Sequence, residues 1–284
     1  MKKICLVLLT FIGSSLIAVA QPILKHSNFV PAINDSRLFY VADTNYTFLD
    51  NTTGANIIFD YTTMRGDTPT VLTQTQYVVN PVSTPLSSTY PSATYVDTTG
   101  GNPGNFKYNQ DFTDSLNLIG LVFGNVPAFG QVVAEYDNDP EILMKFPFQY
   151  GDSYNDNYSG QFAGQLVTTN GWGPVVVSAD AWGTLKLPMG VTIDSVLTIN
   201  IVEQLLTDTI FLPNPLPAIL PIQFNAVQVS YYKPSINKQP LLSYILADVA
   251  GDTTYSLISQ YPMYGVGVNE LDDNNNIVLF PNPS

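Results

Sequence analysis

Carboxylates are the side chains on which any chemistry of this protein would have to depend. The 284 residues contain a single His, His26, and a single Cys, Cys5. A Ser-His-Asp triad therefore has only one candidate base, and zinc, haem and iron–sulfur sites lack their usual ligands. We expect His26 to be an ordinary solvated residue. No Gly-rich loop follows a strand and opens a helix, which argues against a nucleotide-phosphate site.

Two Asp- and Asn-rich clusters offer the hard oxygen ligands that calcium prefers. They are EYDNDPE at 135–141 and GDSYNDNYSG at 151–160. The candidate calcium ligands are Asp137, Asp139, Asp152 and Asp156. Neither cluster has the EF-hand spacing, and Asp and Asn are also favoured in turns because their side chains bond local backbone. We therefore predict turns here, and calcium is the one cofactor that the sequence leaves open.

A second group of side chains indicates sugar binding. Asp180 stands in VVVSADAWGTLKLP (175–188), where strand alternation places it on one face with Trp182. The only other Trp, Trp172, lies upstream in NGWGP, and aromatic faces can stack on sugar rings. Trp172, Asp180 and Trp182 are thus the candidates for a carbohydrate site. The alternative is that Asp180 bonds backbone at a sheet edge while both Trp residues fill the core.

Cleavage of a sugar would require more than this site. A glycoside hydrolase places two carboxylates on opposite sides of one bond. Glu141, Glu203 and Asp180 are the candidates for such a pair, but nothing in the sequence places them together.

The elements that must position these residues are β-strands. Runs rich in Val, Ile, Thr, Tyr and Phe alternate with clusters of Gly, Pro, Asn and Asp, and no helix of ten residues is predicted after residue 20. The predicted strands are 56–62, 70–79, 118–124, 131–136, 142–150, 159–169, 175–188, 195–206, 222–232, 241–250 and 253–261. Residues 80–105 and 211–221 are predicted loops.

These patterns predict an all-β fold for residues 21–264. We expect an antiparallel β-sandwich of jelly-roll type, because many short-spaced strands have no helices between them. Two packed β sub-domains are the alternative, with a boundary near 80–105 or 137–141.

Residues 1–20 have the layout of a secretory signal peptide. A basic start, an apolar run and the small-x-small site Ala18-Val19-Ala20 follow one another. Its removal takes away Cys5, Lys2 and Lys3, which leaves eight basic residues against 23 acidic ones and a net charge of −15. We therefore expect no nucleic-acid partner and, after cleavage, no membrane-spanning segment.

One long stretch resembles a recurrent module of secreted Bacteroidota proteins. The elements that carry the resemblance are FPFQYGDS (146–153) and ADAWGTLKLP (179–188), with VSYYKPSINKQPLLSYI at 229–245. The resemblance covers roughly residues 142–250. Members of this kind are uncharacterised exported proteins, so it implies a β fold and an exported destination but no reaction. One departure is Thr198 after Leu197, where the module often carries Arg.

Five triplets resemble the O-glycosylation sequon of exported Bacteroidota proteins. Each is an Asp followed by Ser or Thr and then by an aliphatic residue or Thr. The oxygens that would be modified belong to Thr98, Ser115, Ser195, Thr209 and Thr253. The alternative is that Asp-Thr and Asp-Ser are common junctions between a turn and a strand.

The C-terminal residues resemble the start of a sorting signal. Residues 265–276 form an acidic, Asn-rich linker, and IVLFPNPS (277–284) resembles the first strand of the type IX secretion system sorting domain. The motif residues are Phe280, Pro281, Asn282 and Pro283. The resemblance implies a chain that continues beyond Ser284, with the Sec translocon and the type IX machinery as partners. The expected location is the outer surface or the medium, reached through the periplasm.

Three functions are compatible with the sequence. We expect an exported surface or extracellular protein of adhesive or structural type, with no identifiable catalytic site and with glycans or surface proteins as partners. A carbohydrate-binding module and a glycoside hydrolase with an Asp/Glu pair are the alternatives.

Overall fold

The computed structural model describes residues 21–43, 49–66, 72–100, 104–126, 130–165, 167–211, 218–219, 221–249 and 251–263. The predicted signal peptide, the acidic linker and the sorting motif from Phe280 through Pro281 and Asn282 to Pro283 lie outside these residues. Among the helices of the described ranges, none is long and apolar enough to cross a membrane.

Within these ranges the chain forms mostly strands, with one four-residue α-helix, α1 (His26–Phe29), and two 3-10 helices at Pro81–Ser83 and Pro188–Gly190. The strands are β1 (Ile23–Leu24), β2 (Ser36–Val41), β3 (Gly54–Asp60), β4 (Thr73–Val79), β5 (Tyr95–Thr99), β6 (Asn105–Asp111), β7 (Ser115–Val126), β8 (Gly130–Asp139), β9 (Glu141–Lys145), β10 (Phe148–Gln149), β11 (Ser153–Ala163), β12 (Thr168–Lys186), β13 (Thr192–Thr207), β14 (Gln223–Tyr232), β15 (Leu242–Val249) and β16 (Asp252–Ser259).

Twelve of these strands close into an antiparallel barrel. Their order is β11-β8-β7-β6-β5-β4-β2-β16-β15-β14-β13-β12, and β12 pairs back to β11. The all-β prediction is therefore confirmed, but the sandwich or jelly-roll prediction is wrong. A sandwich would leave two stacked sheets with free edges, whereas here the two ends of one sheet pair with each other.

Of the four strands outside the twelve, two pair with the barrel sheet, β3 and β9. β3 runs parallel to β12 along Ala181–Lys186, next to the stretch of β12 that pairs with β11. β9 follows β8 along the same neighbour, β7, so the chain stays in the barrel at Pro140. β10 pairs with β1 in a separate two-stranded sheet.

Two of the predicted irregular stretches are wrong. Residues 95–99, assigned to a loop, form β5 between β4 and β6, so the barrel sheet runs through this part of the chain. The cluster at 151–160, assigned to a turn, enters β11 at Ser153. In β11, Tyr154, Asp156 and Tyr158 are more buried than the polar residues between them. This alternation outweighs the turn preference of Asn and Asp because one face of the strand meets the core.

Apolar side chains inside the barrel form the inner core. It includes Tyr136, Tyr158, Val175, Ile199 and Tyr232, which come from five different strands. Because alternate residues of each strand point inward, a ring of such strands encloses one apolar interior.

A second cluster, the outer core, covers the opposite face of β12–β16. It contains Phe59 of β3 and Tyr61, which follows that strand, packed with Tyr231, Tyr244 and Leu257. Part of the barrel wall is thus buried on both faces.

The N-terminal segment packs against the inner core. Leu24 is fully buried in that core, and the ring of Phe29 lies 5.4 Å from Phe146 and 5.3 Å from Tyr232. His26 Nε2 lies 3.0 Å from Asp111 Oδ2, at the end of β6. His26 is therefore a fixed, partly buried residue, contrary to the expectation of an ordinary solvated one.

Candidate functional site

A cavity of about 430 Å³ lies within the barrel. Strands from most of the circumference contribute to its wall, together with the segment around Phe29 and the loop at Lys238. The wall is mostly aliphatic and aromatic. Its principal polar side chains are Gln76, Asp97, Lys107, Asn109, Glu141, Glu203, Gln228 and Ser243. A concave apolar site with a few converging polar groups is the usual form of a small-molecule site.

Asp97, Lys107 and Asn109 form one polar wall of this cavity. Asp97 of β5 lies directly opposite Lys107 of β6. The Asn109 amide Nδ2 donates to Asp97 Oδ2 at 2.8 Å and to the Lys107 carbonyl at 3.0 Å. Burial raises the pKa of the Asp97 carboxyl to about 6, although Lys107 and the bond from Asn109 oppose that rise. The group therefore titrates near neutral pH.

Asn109 is fully buried, and its Oδ1 atom has no hydrogen-bond partner among the described residues. A buried amide oxygen without a donor is costly, typically about 1–3 kcal/mol. Because Nδ2 is held by Asp97 and by the Lys107 carbonyl, the amide is fixed with Oδ1 as its unsatisfied end. Asn109 thus offers an acceptor at the wall of the cavity.

Glu141 enters the cavity at the junction of β8 and β9. Pro140 ends the pairing of β8, and Glu141 is buried as the first residue of β9, opposite Leu118. Asp156 of β11 holds this junction, because its Oδ2 accepts from the backbone N of Ile142 at 2.7 Å. Burial, and then the nearby Glu203 carboxylate, raises the pKa of Glu141 to about 8. Glu141 therefore keeps its proton at neutral pH.

Glu203 comes from β13 and is held by a tyrosine. The Tyr158 hydroxyl donates to Glu203 Oε1 at 2.6 Å, and it also lies 3.2 Å from the Gln204 carbonyl. The Tyr158 ring packs edge-on against Tyr136 at 5.5 Å between centroids. Burial, and then Glu203, raises the pKa of Tyr158 well above its ordinary value, so this hydroxyl remains a donor.

The Tyr158→Phe substitution tests this bond. We expect the free energy of unfolding to fall by about 1–2 kcal/mol, because the partly buried Glu203 oxygen loses its donor. Chemical denaturation at pH 7 measures the loss. The control is Tyr77→Phe, which removes a hydroxyl from an exposed side chain and should change little. Equal effects of the two substitutions would contradict the role given to Tyr158.

The structure does not bring the three sugar-site candidates together. Trp172 is 41% exposed on the outer face of β12, beside Leu206. Trp182 is partly buried and packs on the inner core, opposite Leu197. The two rings are ten residues apart on one strand, about 30 Å at the rise of an extended chain. A single carbohydrate cleft between them is therefore not formed.

A bulge explains why Asp180 and Trp182 do not share a face as predicted. The register of β12 with β13 shifts between Ser178 and Ala181, so the side chains change sides there. Asp180 Oδ2 accepts from Ser178 Oγ at 2.6 Å and from Asn200 Nδ2 at 2.9 Å. The carboxylate thus bonds neighbouring side chains, whereas the sequence alternative gave it backbone partners.

The three carboxylates proposed for a hydrolase do not all lie at one site either. Glu141 and Glu203 line one cavity and interact electrostatically, whereas Asp180 bonds residues of the strands outside it. The structure therefore brings together two of the three carboxylates that the sequence named.

The calcium candidates whose side chains the structure describes lie apart from one another. Asp152 Oδ2 accepts from the Gln149 backbone N at 2.9 Å and shapes a turn, as the turn interpretation predicts, whereas Asp156 holds the β8–β9 junction. The two are about 13 Å apart along β11. Asp139 is exposed at the end of β8, and the side chain of Asp137 lies outside the described part. No group of three or more His, Cys, Asp or Glu residues that could hold a metal occurs among the residues described.

The five glycosylation candidates differ in their access. Thr253 is exposed at the β15–β16 hairpin, where its hydroxyl donates to Asp248 Oδ2 at 3.1 Å. Thr98, Ser115, Ser195 and Thr209 are partly buried. Asp97, the acid of the first triplet, lines the cavity. A glycosylating enzyme that acts on the folded chain would therefore have the poorest access to that triplet.

Sequence reasoning missed the polar wall formed by Asp97, Lys107 and Asn109. A signal was present in TYVDTT, where Tyr95, Asp97 and Thr99 alternate with Val96 and Thr98. An acid on the inward face of a strand is the exception to strand patterning that marks a functional position. The prediction of a single loop over residues 80–105 conceals this strand, β5.

Comparisons with known proteins found no match to this chain. No protein-family model, no curated protein and no solved structure matches this chain.

Proposed function

We propose that this protein is an exported binding protein that holds a small molecule inside its barrel. The observation that supports the proposal is the cavity of about 430 Å³, where Asp97, Asn109, Glu141 and Glu203 converge within an apolar wall. Pockets of roughly 300–1,000 Å³ with this mixed lining suit small ligands.

The exported location rests on the sequence. The signal-peptide layout of residues 1–20 and the resemblance of residues 277–284 to a type IX sorting strand support it. An adhesive or structural role would need only an outer surface. It gives no account of buried carboxyl groups around a cavity, since burying polar groups is costly without a compensating role.

Glu141 and Glu203 favour a second candidate function, hydrolysis of a small glycoside. Glu141 keeps its proton at neutral pH, as a general acid must, and Glu203 provides a second carboxyl in the same cavity. Turnover separates the two functions, because a hydrolase releases a product and a binding protein returns its ligand unchanged.

Filling the cavity tests the binding function. The Ile201→Trp substitution enlarges a side chain that lines the cavity, whereas Val202→Trp enlarges its neighbour, which is 43% exposed on the outer face. We expect a thermal-shift screen of small metabolites to give compounds that raise the unfolding temperature of the parent protein and of Val202→Trp. These shifts should be absent in Ile201→Trp.

Overpacking of a core typically costs about 1–3 kcal/mol, so Ile201→Phe is the milder variant should Ile201→Trp be unstable. Compounds that stabilise the cavity-filled variant as well as the parent bind elsewhere. That result, or a screen with no stabilising compound, would contradict the proposed function.

A further inference from the structure

We propose that the cavity binds a small organic cation, a primary amine attached to an apolar body. This inference rests on the proposed function and adds the chemical class of the ligand. It depends on the balance of donors and acceptors around the cavity, on its charges and on the apolar part of its wall.

Hydrogen-bond acceptors dominate the polar part of the cavity. Asp97, Glu141 and Glu203 place three carboxyl groups on it, from β5, β9 and β13. Asn109 adds the buried Oδ1 atom that has no partner among the residues described. An ammonium group carries three donors and no acceptor, so it complements this set better than a group that must itself accept bonds.

Several donors at or beside the wall are engaged. The Tyr158 hydroxyl donates to Glu203, and Asn109 Nδ2 donates to Asp97. Lys238 Nζ donates to the Val30 carbonyl at 2.8 Å, where the N-terminal segment meets the loop. Lys107 therefore remains as the cation that faces Asp97 and Glu141. An anionic ligand would meet the carboxylates of Asp97 and Glu203 and would have to compete with Asp97 for Lys107.

The remaining wall fits an apolar body. Leu116, Leu118, Leu121 and Ile201 line the cavity, and the rings of Tyr95 and Tyr232 add aromatic surface beside Asp97. Aromatic faces attract cations, most strongly where the pair is desolvated. The carboxyl end and the apolar part together match a molecule that is cationic at one end only.

Calorimetric titration of the purified protein with three compounds of one shape tests the charge. The probes are 2-phenylethylamine, its neutral counterpart 2-phenylethanol and the anion phenylacetate, with n-butylamine as a slimmer amine. We expect at least one of the two amines to bind, and 2-phenylethylamine to bind about tenfold or more tightly than 2-phenylethanol. Phenylacetate should show no binding.

Substitutions of wall carboxylates, with one exposed control, test where the amine binds. Asp97→Asn keeps the shape of a wall carboxyl and removes its charge, whereas Asp114→Asn removes the same charge from an exposed position. We expect Asp97→Asn to weaken amine binding about tenfold and to leave binding of 2-phenylethanol unchanged. Asp114→Asn should leave both unchanged. Glu203→Gln is the second wall variant, and it should also weaken the amine selectively.

The outcomes separate this inference from the function on which it rests. Equal or tighter binding of the alcohol or of phenylacetate, or the absence of binding by both amines, would overturn the cation. If neutral or anionic compounds still bind and lose their affinity in Ile201→Trp, the small-molecule function stands without the cation. If no compound depends on Ile201, both fail.

Discussion

The Glu141→Gln variant is expected to be more stable than the parent protein at pH 8, by roughly 2–4 kcal/mol. The pKa of Glu141 is raised from its ordinary value of 4.5 to about 8, first by burial and then by Glu203. Between these two values the unfolded chain has released the proton and the folded chain still holds it. Stability therefore falls as pH rises through this window, by up to about 1.4 kcal/mol per pH unit.

Gln keeps the shape of the protonated side chain and cannot ionise. The variant and the parent should have similar stabilities near pH 4.5 and diverge towards pH 8, where the parent has lost most of this contribution. Asp97 gives the same sign over a lower window, from 3.8 to about 6, so both proteins keep that part of the pH dependence. Urea unfolding at pH values between 4.5 and 8.5 measures the difference.

Asp139→Asn is the matched control for this effect. Asp139 precedes Glu141 by two residues and is exposed, so loss of its charge should shift stability little at any pH. A Glu141→Gln variant with the same pH profile as the parent would show that Glu141 ionises normally in the folded protein. The acid at the β8–β9 junction would then not be buried as described.

The Gly173→Ala substitution is expected to cost more than about 3 kcal/mol or to prevent folding. A Cβ atom at Gly173 would lie 1.7 Å from the backbone oxygen of Gln204 on β13. This oxygen cannot move aside as a flexible side chain would, because the β12–β13 pairing fixes it. The same oxygen lies 3.2 Å from the Tyr158 hydroxyl, so the clash falls where the barrel closes and beside the cavity.

Gly100→Ala is the control for glycine loss itself. Its added Cβ would lie 3.8 Å from Tyr77 Cε2, an ordinary contact, so we expect a small change in stability or a gain of about 0.4–1 kcal/mol. Thermal unfolding compares the two variants. Similar unfolding temperatures would contradict the close approach of β12 and β13 at Gly173.

The sequence predicted some residues of the candidate site but not their arrangement in space. Glu141 and Glu203 were named as carboxylates that could act as a pair, but 61 intervening residues separate them in the chain. Their approach depends on β9 and β13 lining the same interior. Strand alternation fixes which face a side chain takes within one strand, and it carries no information about which distant strand lies across the barrel.

Local sequence patterns also gave wrong predictions where a single extra residue interrupts strand alternation. A bulge between Ser178 and Ala181 moves Trp182 to the inner core, although unbroken alternation would group it with Asp180. A bulge inserts one residue and reverses every later side chain on its strand. The turn residues of GDSYNDN likewise gave way to β11, because Tyr154 and Tyr158 bury their rings on one face.

The sequence by itself determined that the chain is built of β-strands and that His, Cys and helix-based sites could not be central. These properties follow from composition and from the period of two, which are local. Only the tertiary structure decided between a sandwich and a closed barrel. The strands of both have the same alternation, and the difference lies in how distant strands pair. The ring here depends on the pairing of β2 with β16, where Val41 lies opposite Ile258. That closure creates the cavity and brings Asp97, Asn109, Glu141 and Glu203 into it.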